Sequence, residues 1–234
     1  MKEGIFKCFG VSKSDVKSLL SSLIENSNGV EYEIEGENLL TTIKLSAPEN
    51  NFAFFDWTRL IFEKLSQYIY AETDISLEET VFELLKMRKL TLATAESITG
   101  GQIVSNLIKK NLGASSVVVE GLVTYANEAK MNRLGVSQQT LNQQTSVSVQ
   151  TTYDMAKGLL ETSSASIAIA TTGYATSVKQ SETAGLVYIA IGNRNRIDVY
   201  KNKFSGTREE VIETAANAAL FYLIKKLRKN DFDF

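Results

Sequence analysis

The run Leu90-Thr91-Leu92-Ala93-Thr94-Ala95 passes into Glu96-Ser97-Ile98-Thr99-Gly100-Gly101 and then, with no linker, into the helix-patterned QIVSNLIKK. A short apolar strand that turns directly into a helix constrains this chain more than any other stretch. The helix has to return along the sheet that holds the strand, which is the unit from which α/β folds are built. The same alternation continues downstream. SSVVVEGLVTYA reads as a strand, NEAKMNRLG as a helix stopped by Gly135, VQTTYDMAKGLLE as an amphipathic helix and ASIAIATTG as a buried strand. After the polar stretch YATSVKQSETA, GLVYIAIG and RIDVYKNKF read as a hairpin through Asn193-Arg194-Asn195. The last helix, EEVIETAANAALFYLIKKL, follows a Thr207/Glu210 capping box. These patterns predict an α/β domain over 76–234, a three-layer α/β/α sandwich.

Residues 1–75 read differently. GIFKCFG is a short strand, Ser12 caps a helix over VKSLLSSLI, and VEYEIEG with NLLTTIKLSA forms a hairpin across Gly36-Glu37-Asn38. FAFFDWTRLIFEKLSQYI has helical spacing, which completes a small α+β unit before a Ser76/Glu79 capping box opens the next helix.

Composition excludes several function classes. The chain has no histidine, so a Ser-His-acid triad, a histidine zinc site and a histidine proton shuttle are all ruled out. Any acid-base work falls to lysine, tyrosine or a carboxylate. One cysteine, Cys8, cannot close an intramolecular disulfide, and no secretory leader or long apolar run is visible. The expectation is therefore a cytoplasmic protein with no membrane partner. Residues 1–76 carry seven Lys and Arg against twelve Asp and Glu and contain no Gly-x-x-Gly loop, which argues against nucleic acid as a partner. With no histidine or cysteine cluster, neither a metal nor an organic cofactor is implied.

Candidate chemistry sits where strands end. In Glu96-Ser97-Ile98-Thr99-Gly100-Gly101, Thr99 or Ser97 is expected to cap the helix, while Gly100 and Gly101 leave main-chain N–H groups open to an anion or oxyanion. TYANEAK adds Tyr125, Asn127 and Lys130, with Asn127 as the expected cap of the helix that carries Lys130. TTGYAT adds Thr172 and Gly173 after a third strand, and SGTR adds Gly206, Thr207 and Arg208 before the final helix. Each of these segments also has an ordinary reading, as a capping turn or a solvated charge. Together they can converge on one pocket at the carboxyl edge of the sheet.

LTLATAESITGG, GLVTYANEAKMNRLGV, SVSVQTTYDMAKGLLE, ATTGYA, AGLVYIAI and FSGTREEVIETAANAALFYL, in this order, resemble the CinA C-terminal family, whose members include nicotinamide mononucleotide deamidases. FGVSKSDVKSLLSSLIE, LLTTIKLSA and LSQYIYAETDISLEETV resemble the KH-type domain that precedes this module in longer CinA proteins. The resemblance thus implies the back half of such a protein, without the molybdopterin-binding-like domain at its front. It matches the family's motif serine to Ser97 and the motif tyrosine and lysine to Tyr125 and Lys130. It implies a serine amidohydrolase of pyridine nucleotide salvage in which Lys130, helped by Tyr125, deprotonates Ser97 for attack on the carboxamide of nicotinamide mononucleotide. The oxyanion would rest on the Thr99-Gly100-Gly101 amides, Arg208 with the Gly206 and Thr207 amides would take the 5′-phosphate, and Thr172 and Gly173 would line the nucleotide. A homo-oligomer is left open.

The chain departs from the family pattern in two places. Ile98 stands where the family has cysteine. Thr172-Gly173-Tyr174-Ala175-Thr176 followed by SVKQSE replaces a glycine- and proline-rich loop, and β-branched Thr176 is unsuited to positive φ. Ser148 is retained. The competing expectation is a catalytically silent nucleotide-binding or scaffolding protein that keeps the fold.

Overall fold

The computed structural model describes residues 1–176 and 183–232. Its contacts divide the chain into two compact units, Met1–Thr80 and Val81–Phe234. The SVKQSE stretch singled out above lies outside the described residues.

In the first unit the elements run β1 (Lys2–Phe9), α1 (Lys13–Leu19), α2 (Ser21–Glu25), β2 (Glu31–Glu37), β3 (Leu40–Ala47), α3 (Ala53–Leu65) and β4 (Ile69–Ala71). The strands form one sheet in the order β2-β3-β1-β4, with antiparallel β1–β3, β2–β3 and β1–β4 pairs. The alternation in β3 sends Ile43 and Leu45 inward, where Trp57, Ile61 and Leu65 of α3 join them in the core. Two expectations are corrected here. The helical stretch ends at Leu65 rather than near Ile69, because Ile69–Ala71 leaves it to pair with β1; a three-residue strand is too short to show a period. The hairpin turn is Asn38-Leu39, both at positive φ (47° and 64°), rather than Gly36-Glu37-Asn38, as a two-residue loop between twisted strands requires.

The next helix is α4 (Leu77–Arg88), opened by the expected reciprocal cap: Ser76 N–H donates to Glu79 Oε2 at 2.8 Å and Glu79 N–H donates to Ser76 Oγ at 3.2 Å. There follow β5 (Leu92–Glu96), α5 (Gln102–Lys110), a 3-10 turn at Ala114–Ser116, β6 (Val118–Val123), α6 (Asn127–Leu134), α7 (Gln138–Gln144) and α8 (Val149–Thr162). The unit closes with β7 (Ile167–Gly173), β8 (Leu186–Gly192), β9 (Ile197–Lys203) and α9 (Arg208–Lys229). The sheet order is β6-β5-β7-β8-β9, with β6, β5 and β7 parallel and β8 and β9 antiparallel to their neighbours.

This is the three-layer sandwich. Ala93, Ala95, Ala168, Ala170 and Ala190 point to one face and pack under α8, whose Met155, Ala156 and Leu159 are fully buried. The alternate residues of the same strands, among them Ile167, Ile169, Ile189 and Ile191, face the other way, where α5 and α9 pack. The chain leaves β5 to one side for β6 and then crosses back over β5 to reach β7. The strand order therefore reverses at the carboxyl end of β5, where open α/β sheets bind ligands.

The α6–α8 contact is set by a glycine. A Cβ on Gly158 would lie 1.8 Å from the Leu134 carbonyl oxygen, so α8 approaches the end of α6 closer than any side chain allows. Gly158→Ala should push α6 outward and lower stability by about 3 kcal/mol or more, read as a shift of the urea midpoint.

Candidate active site

The carboxyl ends of β5, β6 and β7 meet at Ser97. Its N–H donates to the Thr171 carbonyl at 3.0 Å, and Thr124 N–H donates to the Glu96 carbonyl at 2.8 Å, so the three strand ends are stitched together beyond the ladder. Ser97 is buried at the foot of the turn, while Gly100 above it is exposed.

Lys130, one turn into α6, points back into this junction. It is 1% exposed, and its Nζ is held at 3.1 Å from Ser97 Oγ, 2.8 Å from the Thr124 carbonyl and 3.0 Å from the Tyr125 carbonyl. Burial pushes its pKa down to about 8. The arrangement suits proton transfer. As a neutral amine, Lys130 can give its two N–H groups to the two carbonyls, which turns its lone pair to the Ser97 hydroxyl; as an ammonium, it has three donors for three acceptors.

Tyr125 corrects an expectation. Its phenol is 68% exposed, and Lys130 meets the residue through its main-chain carbonyl, so the phenol is no part of the buried proton path. The side chain stands outside on the link between β6, which ends at Val123, and α6, which starts at Asn127, next to buried Thr124. Asn127 is corrected as well: it is the first residue of α6, the cap position belongs to Ala126, and no side-chain cap bond is made.

The turn after Ser97 is held by a residue that sequence reasoning did not single out. Glu96, at 0% exposure, ends β5 and turns its carboxylate into the start of α5. Oε2 accepts from Thr99 Oγ1 at 2.7 Å, Gly101 N–H at 3.0 Å and Ile103 N–H at 3.0 Å. Oε1 accepts from Thr94 Oγ1 at 3.2 Å and Val104 N–H at 2.9 Å. Neither Thr99 nor Ser97 caps α5; Glu96 does, from the strand. The signal available in the sequence was a carboxylate at the end of an apolar strand, just before a helix with no acid in its first turn.

Glu96 also changes the oxyanion assignment. The Gly101 N–H is occupied, and the Gly100 N–H makes a long 3.3 Å bond to the Ser97 carbonyl. Among the described residues, the Ile98 and Thr99 N–H groups donate to no protein acceptor and directly follow the serine. Gly100 and Gly101 serve the backbone, with φ of 61° and 93°, and a Cβ on Gly101 would come 3.1 Å from Val123 Cγ2.

The third segment lies alongside. Thr171 Oγ1 and Thr99 Oγ1 are 2.8 Å apart, and buried Thr172 donates to the Ser146 carbonyl at 2.7 Å, fixing the segment before α8 to the end of β7. Ser148 caps α8, accepting from Thr151 N–H at 3.1 Å. Ile98 is buried with its Cδ1 2.9 Å from where a Cβ on Gly173 would stand, so the isoleucine in place of the family's cysteine packs over this glycine. Thr176 is exposed and stays out of the left-handed region.

The fourth segment is at the same sheet edge but further out. Lys203, at the end of β9, pairs with Leu186, which places that strand end two strands beyond β7, about 10 Å away, and α9 starts after the four-residue link 204–207. Arg208 is exposed there. The Thr207 N–H is occupied by Glu210 Oε2 at 2.7 Å in a complete capping box, and the same oxygen would lie 2.6 Å from a Cβ on Gly206. A carboxylate therefore fills the Thr207 amide expected for phosphate, which leaves the Gly206 N–H and the Arg208 guanidinium.

Among the described residues, no helix is long and apolar enough to cross a membrane.

Residues 74–227 match the model of the CinA C-terminal domain family. A competence-damage inducible protein of Caldicellulosiruptor saccharolyticus is 36% identical over 230 residues, covering 95% of this chain and 56% of the relative. Its counterpart in Clostridium botulinum is 34% identical over 237 residues, with 97% of this chain and 57% of the relative covered. The chain thus spans little more than half the length of these relatives. Among solved structures, a CinA superfamily protein of Klebsiella pneumoniae superposes with a TM-score of 0.61 at 32% identity, covering 66% of this chain and 99% of that one. A competence/damage inducible protein of Agrobacterium tumefaciens gives 0.61 at 36% identity, covering 65% and 93%.

Proposed function

The chain belongs to the CinA family, and from that premise we propose that it hydrolyses the carboxamide of nicotinamide mononucleotide to the acid and ammonia by a Ser97–Lys130 mechanism. The observation that carries the reading is a buried amine, its pKa lowered to about 8, held 3.1 Å from a serine hydroxyl at the reversal point of an α/β sheet.

Lys130 Nζ takes the Ser97 proton as Oγ bonds to the carboxamide carbon. The oxyanion formed lies toward the Ile98 and Thr99 N–H groups, each such donor being worth about 3 kcal/mol in hydrolases of this type. The ammonium then returns its proton to the carboxamide nitrogen, the C–N bond breaks and ammonia leaves an ester on Ser97. Water attacks that ester while Lys130 again accepts a proton, and the acid and free serine are regenerated. Two carbonyls hold Lys130 in line throughout, so the base needs no histidine. Arg208 is the proposed 5′-phosphate contact, and Gly173 and the exposed Tyr125 phenol are proposed to border the nucleotide.

Purified protein incubated with nicotinamide mononucleotide should release ammonia, and Ser97→Ala should abolish the release. Thermal stabilisation by the nucleotide without turnover would overturn the hydrolase in favour of a silent binder.

The pH profile carries a further expectation. Only the neutral amine can accept the Ser97 proton, so kcat/KM should climb about tenfold per pH unit below the Lys130 pKa and level off above about 8. A flat profile between pH 6 and pH 9 would exclude Lys130 as the base.

A further inference from the structure

Ser97 stands in a row of three hydroxyl residues. The β5–β6 ladder pairs Glu96 with Val123 and the β5–β7 ladder pairs Glu96 with Thr171. One step further on, Ser97 therefore lies between Thr124 and Thr172, with neighbouring strands about 5 Å apart. Alternation gives the three side chains one face. Ala93, Ala95, Leu122, Ala168 and Ala170 pack into the layer of α6 and α8, and Ser97, Thr124 and Thr172 continue those alternations into the layer from which Lys130 reaches Ser97.

The two threonines are not equivalent. Thr172 Oγ1 is tied to the Ser146 carbonyl at 2.7 Å. Thr124 Oγ1 is buried and, among the described residues, has no hydrogen-bond partner. Its residue is 1% exposed, between Val123 and Tyr125, whose side chains turn outward. Both main-chain groups of Thr124 are engaged, the N–H with the Glu96 carbonyl and the carbonyl with Lys130 Nζ, so the hydroxyl is held firmly where nothing in the free protein uses it. A hydroxyl shut inside without a partner costs stability, and valine has the same shape without that cost.

We propose that Thr124 Oγ1 is the acceptor for the leaving amine: it takes an N–H of the substrate's carboxamide nitrogen as the C–N bond breaks. This deepens the Ser97–Lys130 hydrolysis and rests on it. With the carboxamide oxygen turned toward the Ile98 and Thr99 amides, the nitrogen has to face Lys130, which supplies its proton, and Lys130 Nζ rests on the Thr124 carbonyl. The nitrogen carries two N–H donors, and three once it has taken that proton. The Thr124 and Tyr125 carbonyls already accept from Lys130, and Ser97 Oγ is by then bound to carbon. Among the described residues, Thr124 Oγ1 is the acceptor beside them that has no other partner. A change of χ1 rotamer presents the hydroxyl to the bound nitrogen.

Thr124→Val and Thr124→Ser in the full chain test this, with nicotinamide mononucleotide as substrate and ammonia as the readout. Valine should lower kcat about tenfold or more and change KM less than about twofold, because the contact matters most as the nitrogen gains charge. Serine should restore most of the rate. The urea midpoint of the valine variant should equal or exceed that of the native chain, and its pH limb should stay near 8, since Lys130 keeps both carbonyls. Hydroxylamine, a stronger nucleophile than water, separates the two halves of the reaction: it should leave the valine variant slow, because the defect lies in the release of ammonia. A valine variant as fast as a native chain that does release ammonia overturns the assignment and leaves the hydrolase reading intact, whereas no release by the native chain overturns both. Recovery with hydroxylamine would move the hydroxyl to the water step, and a parallel loss of stability and activity that serine does not rescue would make its role structural; either result overturns the proposal.

Discussion

Lys130→Met should abolish ammonia release, by about a thousandfold or more, and leave the protein at least as stable at neutral pH. The two effects have one cause. A base held 3.1 Å from its serine cannot be replaced by a thioether, and removing a general base costs about 10²- to 10⁴-fold. Stability moves the other way because burial lowers the Lys130 pKa from its ordinary 10.5 to about 8, a differential of roughly 3 kcal/mol carried by the protonated amine. The unfolded side chain keeps its proton up to 10.5, so between pH 8 and that value the unfolded state binds more protons and native stability rises with pH. Below pH 8 the cost is fully present. Methionine fills a similar volume without it and gives up three hydrogen bonds, each worth about 1 kcal/mol net. The stability difference between Lys130→Met and the native chain, measured by denaturant unfolding, should thus turn against the variant as pH rises from 8 towards 10.5. A variant that loses several kcal/mol at pH 7 would show that Lys130 is there for structure.

Glu96→Ala should be the most destabilising single change in the turn, by about 3–5 kcal/mol, because it strands three main-chain N–H groups and the Thr94 hydroxyl inside the protein and leaves the Thr99 hydroxyl to Thr171 alone. Glu96→Gln separates positioning from folding. It keeps the length of the side chain but offers one acceptor oxygen where there were two, and turns an NH₂ towards donors. We expect a folded protein with kcat lowered about tenfold or more, because the Ser97 turn loosens, while the pH limb near 8 stays in place because Lys130 is untouched. A limb that moved with Glu96→Gln would mean that the carboxylate acts on the base directly.

The legibility of this chain varied with length scale. Long periodic segments were readable: α8, α9 and the buried strands β5, β7 and β8 follow from apolar spacing, and both capping boxes form as their residue types require. Short elements were not. β4 and α7 contain too few residues for a period to emerge, and β4 exists because β1 offers it an edge. At the site, residue identity pointed to Ser97 and Lys130, and the fold brings them into hydrogen-bond distance. Identity misled for Tyr125 and Gly101. An aromatic ring at a strand end can point in or out, and a glycine amide at a helix start is open only if no side chain has reached it first.

The sequence alone determined the chemical vocabulary and the layers: a histidine-free chain restricted to lysine, serine, tyrosine and carboxylates, with strands and helices alternating so that helices must cover a parallel sheet. The tertiary structure alone decided which groups remain available. Which nearby donors a carboxylate or an amine reaches, the contact of Lys130 with Ser97 across 33 residues, and the loss of solvent around Lys130 are consequences of packing. They settled that Glu96 occupies the helix start, and that Lys130 is held by two carbonyls and the Ser97 hydroxyl rather than by a phenol.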